Sequence, residues 1–406
     1  MAVRSNVGNR GRALGVVIAW AMVGALLSAQ TAFGAGDPVA SGTFSIKLSS
    51  SFKHQLKSNH VKLKPKVFTI KTAGSSLDPI TGAGTLKLGK ITFKKGHKKV
   101  VYSNAKATLG ANGAKGNVKG STGKLFSLKG GTVARNGFGA TVSGVKVKLL
   151  KGAAKKINKK LGLHSLHKGS AGKVSVAEQP QTVQIVSGTA YVDVPLSDLG
   201  GSTANTSVTG KLDAHCIGLT GVSAIAPAHL ATIISPDPEV GPIPSGGLAR
   251  FKFPVTGGTI SPAGNDGVIQ QAGGVQIANN RGNGVPRTNC PATTNTILQQ
   301  SDFGVNLGLN NIQAHIVIGG SNPPNFLGGP GDKGLAIGQT IDPTGVVVSA
   351  DAATHTISVS GGVIKNNDAA SLTLNSLFPT NTQGPSNPDF TNGDTFGKPS
   401  LTVTVR

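Results

Sequence analysis

Two stretches of this chain are written in one grammar, and that repetition limits the fold more than any single motif. In Ser143 to Val176, the residues Val145, Val147 and Leu149 alternate with Lys146 and Lys148, the period of a half-buried strand. Ala153, Ala154, Ile157 and Leu161 then recur at helical spacing, with Lys155, Lys156, Lys159 and Lys160 on the rest of the cylinder. Gly162 supplies a helix stop, and Gly169 and Gly172 turn the chain into a last strand, Lys173 to Val176. Near the C-terminus the order returns. Ser360-Gly361-Gly362-Val363-Ile364 precedes Asp368 to Asn375, and Gly393, Gly397 and Lys398 lead into Leu401 to Val405. Ala153-Ala154 with Asn158 matches Ala369-Ala370 with Asn375 if one residue is inserted. Two copies of one module are expected.

A second alignment agrees with this. From Phe68 the halves match without a gap at an offset of 183, setting Phe68 on Phe251, Gly74 on Gly257, Leu77 on Ile260, Pro79 on Pro262, Gly84 on Gly267 and Leu86 on Ile269. Matched glycines and prolines carry backbone geometry, so they speak for a common fold and not a common ligand. Residues 41–52 read as an opening strand. Asn112-Gly113, Asn136-Gly137 and the turn Lys94 to Lys99 read as hairpin connections between alternating runs. The expected class is all-β and mainly antiparallel: two sandwich-like β domains, 37–178 and 179–406, each with a short helix near its C-terminal end. Long loops are expected at 234–244, 279–295 and 319–334, where Pro, Gly and Asn gather.

Charge divides the chain at the same place. Residues 37–175 hold 27 lysines and one arginine against only Asp37 and Asp78, a net of +26, whereas residues 176–406 carry −5. Upstream, Arg4, Arg10 and Arg12 precede the apolar run Leu14 to Leu27, and Ala32-Phe33-Gly34 offers small residues for cleavage. Residues 1–34 therefore read as a signal peptide, and the mature protein as secreted or cell-surface. In an oxidising compartment Cys216 and Cys290, the two cysteines of the chain, are expected to form a disulfide.

No nucleophile elbow, zinc-protease helix or phosphate loop is present, and the basic half has too few acids for a paired-carboxylate mechanism. The expected function is binding without catalysis. Lys53, Lys57, Lys62, Lys64, Lys66 and the cluster Lys94, Lys95, Lys98 and Lys99 suit an anionic envelope polymer or a simply solvated face. Sparse aromatics and the extracellular address argue against genomic nucleic acid. His97, in a Gly-His turn, and His54, beyond the opening strand, are candidate ligand-binding residues, with Phe52 and Tyr102 beside them in sequence. No metal site is expected from the cysteines, which lack close spacing.

Taken together, four patches resemble the haem-transport-associated (HtaA-type) domain of secreted and surface proteins of Gram-positive actinobacteria. They are Ser51-Phe52-Lys53-His54-Gln55, the run Gly82 to Phe93 with Gly96 and His97, the helix Ala153 to Leu161, and the closing strand Gly169 to Val176. The second half repeats the hairpin and helix patches more loosely. The resemblance implies haem as cofactor and iron acquisition as role, with a tyrosine ligand and a nearby histidine. Here Gln55 stands at the tyrosine position and His97 at the histidine position. The tyrosines beyond the leader are Tyr102 and Tyr191, and in the second half Gly274-Val275 replaces the Gly-His pair. His54 or His97 would then substitute as ligand.

Overall fold

The computed structural model describes residues 36–195, 217–222, 232–233, 248–279, 297–319, 325–327, 335–377 and 390–406. The expected leader 1–34, the expected Cys216–Cys290 disulfide and the proline-rich stretch 234–244 lie outside the described residues. Gly34–Arg406 forms one compact unit.

The first sheet is built from β1 (Asp37–Leu48), β2 (Lys71–Leu77), β3 (Gly84–Lys95), β4 (Lys98–Leu109), β5 (Gly116–Gly120), β6 (Gly123–Lys129), β7 (Gly139–Leu149) and β8 (Gly169–Pro180). Each strand pairs antiparallel with the next, and β8 pairs back onto β1. The sandwich-like arrangement read from the sequence thus takes its closed form, an eight-stranded up-and-down barrel, in which no edge of the circuit is left unpaired. Short strands at Lys62–Lys64, Val67–Thr69 and Thr132–Asn136 pair with β3, β1 and β7.

The second sheet follows the same plan. Its strands are β9 (Val183–Pro195), β10 (Leu248–Ile260), β11 (Gly267–Gln271), β12 (Ile297–Asn306), β13 (Asn311–Gly319), β14 (Leu335–Asp342), β15 (Val363–Asn366) and β16 (Thr395–Val405). They again pair in chain order, and β16 returns to β9. The offset of 183 reappears as strand register. Leu77 faces Gly84 across β2–β3, and Ile260 faces Gly267 across β10–β11. Both glycines are obligatory for the same reason: a Cβ on Gly84 would lie 2.2 Å from the Ser76 carbonyl oxygen, and one on Gly267 the same distance from that of Thr259. A side chain there would separate the paired strands.

The first barrel is filled. Alternate residues of every strand point inward, among them Phe44, Leu86, Phe93, Tyr102, Phe126 and Val174, all buried. Rings meet edge to face, Phe44 with Phe68 at 6.0 Å and Phe93 with Tyr102 at 6.5 Å between centroids. Two helices close one end. The expected helix forms as α2 (Lys151–Leu161), which buries Ala153, Ala154, Ile157 and Leu161 and ends at left-handed Gly162. The other, α1 (Ser50–Ser58), corrects the reading of residues 41–52 as one strand. Ser49 ends the strand and caps the helix, its Oγ accepting from the Phe52 backbone N–H at 3.3 Å. Phe52 and Leu56 of α1 join the core. In the second barrel the corresponding helix is α3 (Asp368–Leu377).

Candidate functional site

The patches carrying the sequence resemblance meet at one end of the first barrel. Strand Lys62–Lys64, just beyond α1, pairs with β3 beside its turn into β4. The connection from α2 to β8 is tied to α1 by two hydrogen bonds: Ser165 Oγ donates to Asn59 Oδ1 at 2.8 Å, and the His167 backbone N–H donates to Gln55 Oε1 at 3.2 Å. Gln55, at the position where the resemblance expects a tyrosine ligand, is therefore a tether between two segments.

The four candidate ligand residues do not converge. Phe52 and Tyr102 are core residues, whereas His54 and His97 are exposed on the helix surface and at the hairpin tip. Burial pushes the Tyr102 phenol above its ordinary pKa, against the opposing pull of the Thr122 hydroxyl. The Thr122 hydroxyl is its polar partner. These residues do not fit an axially ligated haem inside the first barrel. Among the described residues, no group of three or more His, Cys, Asp or Glu side chains is placed to hold a metal ion.

Lysine placement is far more ordered than the sequence suggests. At the hairpin tip Lys94 stands opposite Lys99 and Lys95 opposite Lys98. On the barrel wall, Lys71, Lys87, Lys106, Lys119 and Lys124 face one another in succession across β2, β3, β4, β5 and β6. A second ladder runs through Lys129, Lys146, Lys173 and Lys47 on β6, β7, β8 and β1. All eight strands contribute, and every one of the nine lysines is exposed except half-buried Lys87. Like charges directly opposite each other destabilise a sheet by roughly 0.2–1 kcal/mol per pair. The sequence signal was the outward alternation of lysine along each strand; the register that stacks them was not visible.

Among the described residues of this barrel, no carboxylate is placed opposite these lysines. Asp37 and Glu178 are 2% and 3% exposed, and Asp78 turns inward to accept from the backbone N–H groups of Ile80 and Thr81. All three gather where the two barrels meet. Arg406, the last residue of the chain, reaches back with Nη2 at 3.7 Å from Asp37 and Nη1 at 3.8 Å from Asp78. Glu178 Oε1 accepts from the Ala140 backbone N–H at 2.9 Å. Burial raises the pKa of Asp37 to about 6, against the pull of Arg406. Burial likewise raises Glu178 to about 7, against its bond from Ala140.

The second barrel differs in its interior. A cavity of about 540 Å³ runs from the turns at 263–265 and 307–310 into the middle of the barrel. Its wall is mainly apolar, with Phe251, Phe253, Phe303, Ile269 and Ile312 among its residues. In the first barrel the described cavity is about 10 Å³. Tyr191 borders the large cavity, but its strand neighbours Ala190 and Val192 are the ones directly opposite inward-facing Phe253 and Phe251. By alternation the Tyr191 ring lies on the outer face, where the Arg250 guanidinium sits 5.3 Å from its centroid.

No family model matches this sequence, and no curated protein does. Two solved structures are similar to part of this chain. The C-terminal domain of HtaA from Corynebacterium glutamicum is 11% identical, with 54% of this chain and 99% of that one covered, at a TM-score of 0.28. Heme binding protein HtaB from the same organism is 16% identical, with 55% and 96% covered, at a TM-score of 0.29. Likeness at that level settles no question of ligand. Among the described residues no helix is long and apolar enough to cross a membrane.

Proposed function

We propose that this chain is a secreted, non-catalytic binding protein of the cell envelope whose first barrel holds an anionic wall polymer. The observation that supports this is the pair of lysine ladders over all eight strands, with every carboxylate of that barrel withdrawn to the junction. Neighbouring strands lie about 4.8 Å apart, so cations recur along each ladder on a scale of a few ångströms. A flexible polymer of phosphate or carboxylate groups can answer that spacing without a shaped pocket, and binding releases the counterions of both partners. The hairpin lysines Lys94, Lys95, Lys98 and Lys99 extend the same surface.

The experiment is chromatography of the mature chain on immobilised poly(glycerol phosphate), with uncharged dextran as the control. Retention at low salt that is lost by about 0.5 M salt, where screening reaches only a few ångströms, supports the proposal. Equal retention on dextran, or retention indifferent to salt, discards it.

Haem binding for iron acquisition is the second reading. It is favoured by the meeting of the resemblance patches at one end of the first barrel, where α1, the His97 turn and the α2–β8 connection lie together. A haem there would rest on the exposed surface with His54 or His97 as ligand. Adding hemin to the mature protein and recording the Soret band tests it. A stoichiometric shift that the variant His54→Ala/His97→Ala loses supports this reading, and no shift removes it.

A further inference from the structure

We propose that the second barrel binds one neutral, mostly apolar molecule in its interior, with the hydrogen-bonding group of that molecule held by Gln300 and Gln339. Eight strands are the number at which a barrel interior is either filled by side chains or left able to hold a single small ligand. This chain contains one barrel of each kind. At about 540 Å³ the second cavity lies within the range of roughly 300–1,000 Å³ that small-molecule sites occupy.

The lining sets the chemistry of the ligand. Among the described residues, no Lys, Arg, His, Asp or Glu borders the cavity, so a carboxylate or ammonium drawn into it would lose its hydration without gaining a counter-charge from them. Five amide side chains line it, Asn265, Gln271, Gln300, Asn310 and Gln339, and two of these are buried in the barrel wall. Gln300 on β12 and Gln339 on β14 are each 7% exposed and line the cavity. A ligand carbonyl or hydroxyl would find a partner there, because each amide offers both a donor and an acceptor. A long-chain alcohol, a neutral ester or an isoprenoid ketone shares this chemistry. A free fatty acid in its ionised form does not.

The test uses the full mature chain and diphenylhexatriene, an uncharged hydrocarbon that fluoresces in apolar surroundings. One probe per chain is expected, displaced by dodecanol and far less by dodecanoate at pH 8. The variant Ala190→Phe places a ring into the cavity from β9 and, if folded by circular dichroism, should abolish the emission. The variant Gln300→Leu/Gln339→Leu keeps the volume and removes the amides. It should still take up the hydrocarbon but bind dodecanol roughly tenfold more weakly. Absence of probe binding, emission unchanged in folded Ala190→Phe, dodecanol affinity unchanged in the leucine variant, or dodecanoate displacing the probe better than dodecanol would each overturn the proposal.

Discussion

Lys173 stands directly opposite Lys47 across the β8–β1 seam that closes the first barrel. Both are exposed, and Lys146 faces Lys173 from the other side. The seam is made of backbone hydrogen bonds and of the inward residues Phe44, Ile46, Val174 and Val176, and it closes against the repulsion of its own outer face.

Replacing both residues, Lys47→Gln/Lys173→Gln, should therefore stabilise the protein at low ionic strength by about 0.5–1 kcal/mol. The gain should disappear at high salt, where the parent is already screened. Thermal unfolding at two salt concentrations reads this directly. The same variant should elute from poly(glycerol phosphate) at lower salt than the parent. Unequal effects on the two measurements would separate repulsion within the barrel from attraction to the polymer.

Glu178 gives a pH dependence of definite sign. Its folded-state pKa of about 7 lies above the ordinary glutamate value of 4.5, chiefly through burial. Between those values the folded chain holds more protons than the unfolded one, so ionisation at rising pH subtracts stability. Glu178→Gln keeps the acceptor for the Ala140 N–H and removes the charge. It should leave stability near that of the parent at pH 5 and exceed it by roughly 1–3 kcal/mol at pH 8. Denaturant midpoints at both pH values test this, and a gain confined to acid pH would contradict the assignment.

Tyr102→Phe should be nearly neutral, within about 1 kcal/mol, because it removes one buried hydroxyl, whose polar partner is Thr122, and keeps the ring packed on Phe93. Phe93→Ala at the neighbouring fully buried position should cost about 3–5 kcal/mol through lost burial and the space left behind. Hemin spectra of Tyr102→Phe should match those of the parent. A change would mean that the phenol reaches a ligand after all.

Gly162 ends α2 at φ +65, and a Cβ there would meet nothing closer than Lys98 Nζ at 3.7 Å. Gly162→Ala thus isolates the conformational cost of a left-handed residue, about 1 kcal/mol. A much larger loss in thermal unfolding would point to packing at this end that the geometry does not contain.

The sequence by itself determined the backbone plan. Period-two runs, the Asn-Gly and Gly-His turns, the helical spacing of Ala153, Ile157 and Leu161, and the glycines at 84 and 267 are local signals, and each concerns residues that are neighbours in the chain. The offset of 183 survived as strand register for the same reason, since a glycine that lets two backbones approach has no substitute. Helix α1 escaped because Ser49 to Ser51 reads as a polar strand end until the cap is seen. The placing of the candidates Phe52, His54, His97 and Tyr102 turned on orientation. Closure of the barrel turns Phe52 and Tyr102 into its core while the two histidines remain on its surface, and adjacency in sequence cannot distinguish those outcomes. Only the tertiary structure decided that nine lysines scattered from 47 to 173 stand in register, that Asp37, Asp78 and Glu178 retreat to one junction with Arg406, and that the second barrel keeps a hollow interior where the first is packed. Each of these depends on which residues of distant strands face one another, and that is settled when a sheet curls round and its last strand pairs with its first.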